Sequence, residues 1–136
     1  MEREIMKPEL VAIVAACFLA FPAAAQEYAP GEREQLVEGA LPGIEGHDIA
    51  IQRVTFPAGW SGQKHTHAGP VYVYVLDGAF EVEIEGAEPN MLSAGDLVAE
   101  PQDAPMVARN ASQEDPVTIL LIQVSEEGQP LMELAE

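Results

Sequence analysis

Between Ile49 and Val124 short runs of β-branched and aromatic residues are cut by turn signals every few residues, and nothing in that span reads as a long helix. Such a chain can build a sandwich or barrel of short strands. The runs are Ile49 to Phe56, Val71 to Leu76, Ala79 to Ile84, Asn90 to Leu92, Asp96 to Ala99, Met106 to Arg109 and Val117 to Val124. Asp77-Gly78 reads as a two-residue hairpin turn between the second and third of them. In the third run Glu81, Glu83 and Glu85 alternate with Val82 and Ile84, which describes a solvated face rather than a carboxylate site. At 136 residues the chain suits one domain with a real core.

His65 and His67 carry the chemistry. They lie two apart in Gly59-Trp60-Ser61-Gly62-Gln63-Lys64-His65-Thr66-His67, just ahead of the valine-rich run. Residues two apart on a strand share a face, so both imidazoles can reach one metal ion. The plain alternative is a pair of barrel-lining histidines held by hydrogen bonds. His47 lies in an acidic stretch apart from this motif and reads as a surface residue.

With these residues in view the chain resembles the cupin superfamily of small jelly-roll barrels. Gly59, His65, His67 and Gly78 fall on the first family motif, with Val71 where the family has a glutamate. Ser93-Ala94-Gly95-Asp96, the loop Pro101 to Pro105 and Asn110 fit the second, with Met106 where the family has a histidine. The resemblance spans about residues 49 to 124. It implies an all-β fold, a single cupin-like jelly-roll β-barrel, often a homodimer, and a site for iron, manganese or a related ion.

Two imidazoles without the glutamate and the third histidine predict only weak metal binding. Two further side chains are candidate ligands. Glu100 replaces the missing acid if it points inward, although strand-end glutamates before a proline usually face solvent. Met106 next to two imidazoles makes a soft set that selects copper, above all Cu(I), where the simpler reading is a gap-filling core methionine. The candidate metal residues are therefore His65, His67, Met106 and Glu100. Tyr72 and Tyr74 alternate away from Val71 and Val73 and are expected on the outside or at a dimer surface. Trp60 is expected to pack near the pocket mouth.

The function expected is an exported cupin-domain protein that takes a small molecule, and a weakly held metal, in an apolar pocket lined by His65, His67, Val71 and Met106. The alternative is a metal-dependent enzyme such as an oxygenase using His65 and His67. A third class is a dimerising domain with an inert pocket. A net charge of -17 with no basic cluster argues against nucleic acid and anionic lipid as partners.

Export rests on the first 25 residues. Lys7 precedes an apolar run from Leu10 to Phe21, and Ala23 and Ala25 suit cleavage before Gln26. Met6 would give a cleaner start than Met1. Cleavage there removes Cys17, so the mature chain would use neither disulfides nor thiolate ligands, in a periplasmic or secreted setting. The expected organisation is a signal peptide over 1–25, an N-terminal arm over 26–48, the barrel over 49–124 and a C-terminal tail over 125–136.

Overall fold

The computed structural model describes residues 31–136, which form ten strands and, among the described residues, no helix. The expected signal peptide and Cys17 lie outside that range. The strands are β1 (Glu32–Ala40), β2 (His47–Phe56), β3 (His65–Thr66), β4 (Val71–Asp77), β5 (Ala79–Ile84), β6 (Asn90–Ser93), β7 (Leu97–Glu100), β8 (Met106–Asn110), β9 (Val117–Glu126) and β10 (Glu133–Leu134). One five-stranded sheet runs β1-β2-β9-β4-β7 and the other β10-β3-β8-β5-β6, with antiparallel pairing throughout. The fold is all-β and cupin-like.

The inward faces follow strict alternation. Val54 and Phe56 of β2, Val71, Val73 and Val75 of β4, and Val117 and Ile119 of β9 pack against Phe80 and Val82 of β5 and Met106 and Ala108 of β8. Fully burying each Val, Ile, Phe or Met contributes about 1.5–3 kcal/mol, and this shared interior holds the two sheets face to face.

Three sequence expectations change. Asp77-Gly78 is no hairpin: β4 pairs with β7 and β9, whereas β5 pairs with β6 and β8, so the dipeptide is a corner where the chain changes sheet. Gly78 has φ 87°, and an added Cβ would lie 2.6 Å from the Pro116 carbonyl oxygen, so the corner needs glycine on both counts. The expected arm contains β1, an edge strand paired along β2, with Arg53 of β2 in an ion pair with Glu34. The expected tail contains the end of β9 and then β10, which returns to pair with β3. Two-residue strands such as β3 and β10 leave no periodicity to read.

The outer face of the first sheet carries apolar rows bordered by the Arg53–Glu34 ion pair. Strand register aligns Val37, Ile51, Ile122, Tyr72 and Ala99 in one row across all five strands. Leu120, Tyr74 and Leu97 align in the next. Tyr72 is 44% and Leu97 57% exposed, as the alternation of β4 leads one to expect for the tyrosine.

Candidate metal and ligand site

His65 and His67 project into the barrel from β3 and the residue just after it, and both are buried. Their rings meet edge to face, with centroids 5.0 Å apart. Each Nδ1 lies within hydrogen-bond distance of a backbone carbonyl: His65 of Gln63 at 2.8 Å, His67 of Leu131 at 2.6 Å. A carbonyl only accepts, so both Nδ1 atoms carry hydrogen, and this fixes Nε2 as the nitrogen offered to the cavity.

Gly69 makes the path into β4 possible. A Cβ there would sit 1.9 Å from the Val124 carbonyl oxygen, so the segment leaving His67 crosses against the backbone of β9. Its φ is not in the left-handed range; close approach is the reason for glycine.

Glu100 is the decisive placement. Within β7 the inward residues are Val98 and Glu100, and Glu100 is 3% exposed, so the solvent-facing expectation fails. The register sets Val71 opposite Glu100 on one side and Gln123 on the other, and all three are buried. Val71 is thus inward, and the carboxylate enters the same row from the neighbouring strand. Glu100 Oε2 lies 3.2 Å from His67 Nε2.

These contacts divide the two imidazoles. Burial lowers the pKa of His65 and outweighs the Gln63 carbonyl, leaving it neutral with a lone pair on Nε2. Burial lowers His67 as well, but the Glu100 hydrogen bond, the Leu131 carbonyl, the Glu100 charge and Gln123 together raise it. The balance raises His67 above the ordinary histidine value, which favours its protonated form beside the Glu100 carboxylate. Gln123 donates from Nε2 to the Pro130 carbonyl at 3.3 Å, which leaves its buried Oε1 to face His67 without a well-formed hydrogen bond.

The site opens into a small cavity of about 50 Å³. Phe56, Trp60, Val73, Phe80, Ala108, Ile119 and Leu121 form its apolar wall, and Trp60 stacks on Phe56 with centroids 3.7 Å apart. Its polar lining is Arg33, Gln63, His65, His67 and Glu100, and Met132 completes the wall. Val71 and Met106, expected to line the pocket, are absent from its lining. Met106 is 1% exposed in the core and stands opposite His65 across β3 and β8. Asn110 is structural: its Nδ2 donates to the carbonyls of Pro57 at 2.9 Å and Asp115 at 2.8 Å. Arg33, Gln123, Leu131 and Met132 had no sequence signal, since they reach the site from β1, β9 and the C-terminal return.

Among the described residues no three or more His, Cys, Asp and Glu side chains stand in the geometry of a formed metal cage. The donor chemistry nevertheless fits a transition-metal ion: two imidazoles whose Nδ1 hydrogens are tied to carbonyls, as metal-ligating histidines require, and a buried carboxylate on one of them. The His67–Glu100 pair is what an ion would have to open.

A protein-family model described as a cupin domain matches residues 52–123. Among solved structures, the chain is similar to a cupin-like protein from Thermotoga maritima at 19% identity and TM-score 0.63, over 77% of this chain and 75% of that one. It is also similar to the DMSP lyase DddQ from Ruegeria pomeroyi at 22% identity and TM-score 0.64, over 85% of this chain but 56% of the lyase. KdgF from a Halomonas species matches at 27% identity and TM-score 0.56, over 76% of this chain and 90% of that one. No curated protein matches the sequence.

Proposed function

The chain belongs to the cupin domain family, and from that premise we propose that it binds one transition-metal ion through His65, His67 and Glu100, with a small molecule in the cavity beside it. The observation that carries this reading is Glu100, buried opposite Val71 and in contact with His67. It returns a carboxylate to the row that lost one. Two imidazoles and a carboxylate suit iron, manganese or zinc. The ion would supply Lewis-acid or redox chemistry. The apolar wall, with Arg33 and Gln63 as its other polar lining, suits a small ligand with an apolar body and one polar or anionic end.

The chain's own residues set the terms of binding. Backbone carbonyls orient both rings, the aromatic wall excludes water, and His67 must release its Nε2 proton before that nitrogen can ligate. Affinity should therefore rise with pH. Three donors leave positions open toward the cavity, which favours a second reading, an oxygenase, among the known uses of such a triad. Export to a periplasmic or secreted setting belongs to the proposal and rests on the Leu10 to Phe21 run with Ala23 and Ala25.

Calorimetric titration of tag-free protein with Zn(II), Mn(II) and Fe(II) tests the metal site. One ion per chain with proton release is expected, and Glu100→Ala should weaken binding by about tenfold or more. Unchanged affinity in that variant removes Glu100 from the site. No binding by the natural chain ends the metal reading.

A further inference from the structure

After β9 the chain turns at Gln129, whose N–H bonds the Glu126 carbonyl at 3.2 Å, and doubles back across the mouth of the site. Its inner half touches the functional residues directly. The Leu131 carbonyl accepts from His67 Nδ1, the Pro130 carbonyl accepts from Gln123, and Met132 enters the cavity wall. Its outer half is held by little: the two-residue pairing of β10 with β3, the Ala135 N–H to the Lys64 carbonyl at 3.0 Å, and Lys64 Nζ to the Glu136 carbonyl at 3.0 Å. None of residues 127–136 belongs to the buried core, and Leu134 is 53% exposed.

A segment attached by a few hydrogen bonds at a sheet edge, with no core side chain, opens locally at low cost. This one carries a group the site needs. Resting on the metal reading above, we propose that residues 129–136 form a strap that gates the site: closed, its Leu131 carbonyl holds His67 for ligation and Met132 shuts the mouth; open, His67 loses that acceptor and the ion can enter or leave. Coupling of this kind is reciprocal, so the bound ion must also favour the closed strap.

Leu131 is a positioning residue that acts through its backbone, so the test moves the strap rather than a side chain. Zn(II) serves as the probe, being free of redox chemistry. Three measurements are made: Zn(II) affinity, Zn(II) release rate followed by fluorescence of Trp60, the chain's single tryptophan, and hydrogen exchange at the Ala135 amide with and without Zn(II). They compare the full chain, a chain ending at Gly128 and Ala135→Pro, which removes one attachment. We expect slower Ala135 exchange with Zn(II) in the full chain. In both variants affinity should fall about tenfold to a hundredfold, the usual effect of losing a partner of a ligating histidine, with faster release.

A strap that is merely structural would lower the melting temperature and leave the release rate and Zn(II)-dependent exchange unchanged, which overturns the gate. Equal affinity in all three chains also overturns it and leaves the metal reading standing. Absence of Zn(II) binding by the full chain overturns both. If the shortened chain does not fold, Ala135→Pro and exchange in the full chain decide.

Discussion

Replacing Glu100 by Gln keeps the shape of the side chain and removes its charge, and the consequence for the metal-free protein depends on pH. His67 and Glu100 side chains are 4% and 3% exposed, so solvent does little to replace the lost carboxylate. The variant has two courses: keep a buried imidazolium without its counter-charge, at about 3–5 kcal/mol, or let His67 lose its proton. Near pH 8.5 deprotonation is easy, and a charge-assisted hydrogen bond is exchanged for a neutral one from the Gln amide to His67 Nε2, a loss of about 1 kcal/mol. Near pH 6 the unfolded chain holds the proton, with an ordinary pKa of about 6.5, and the folded variant resists it.

In the natural chain the folded pKa of His67 is raised. Its contribution is thus fully present below the unfolded value and is lost as pH rises through the folded one. In the variant burial dominates and the sign reverses. The stability gap should therefore grow from about 1 kcal/mol near pH 8.5 to about 2 kcal/mol or more near pH 6, because holding His67 neutral below its unfolded pKa costs about 0.8 kcal/mol there and the natural pair adds its own stabilisation. His65, whose pKa is lowered, titrates in both proteins and cancels in the difference to first order. Urea unfolding with a chelator present at both pH values measures the gap. A gap that is equal at both, or wider at the higher pH, would show that His67 does not hold its proton against Glu100.

Gly69→Ala should destabilise by about 3 kcal/mol or more, beyond ordinary overpacking because the clash is with backbone; a melting shift below a few degrees would contradict the crossing described. If the homodimer that the cupin resemblance implies packs through the row from Val37 to Ala99, the neutral surface of so acidic a chain, Tyr72→Glu with Tyr74→Glu should leave the fold intact and give a monomer in light scattering; a natural chain already monomeric at working concentration refutes it. Met106→Leu should leave Cu(I) affinity unchanged, because Met106 lies outside the cavity lining; a loss would return its thioether to the site. Mass spectrometry of exported protein should find Gln26 at the N-terminus, and a chain retaining Met1 or Met6 would contradict the cleavage site.

The histidine pair and most strand positions were legible because both depend on local alternation: His65 and His67 are two apart, and β4 alternates valine with tyrosine. Glu100 was harder. β7 reads Leu97-Val98-Ala99-Glu100, with an apolar residue at both parities, so its inward face is fixed only by the pairing of Val73 with Val98. Asp77-Gly78 misled for a related reason: the dipeptide reports a sharp reversal with positive φ at glycine, and a corner between sheets needs the same backbone as a hairpin. Residues brought in by distant chain, such as Leu131 at His67, leave no mark in the local pattern at all.

The corner at Gly78 also bears on the order of assembly. Because β4 and β5 part company there, each must wait for a later strand: β2 and β4 are joined only when residues 117–126 arrive between them, and β5 needs β8 as well as β6. At about 5–20 residues per second, a ribosome takes seconds to deliver that missing centre of the first sheet. Pairings so remote in sequence place this chain among slow folders, in the millisecond-to-second range. Its valine-rich β4 thus spends its first moments without either lateral neighbour, and the acidic residues of β5 that follow it keep that stretch in solution until β9 is made.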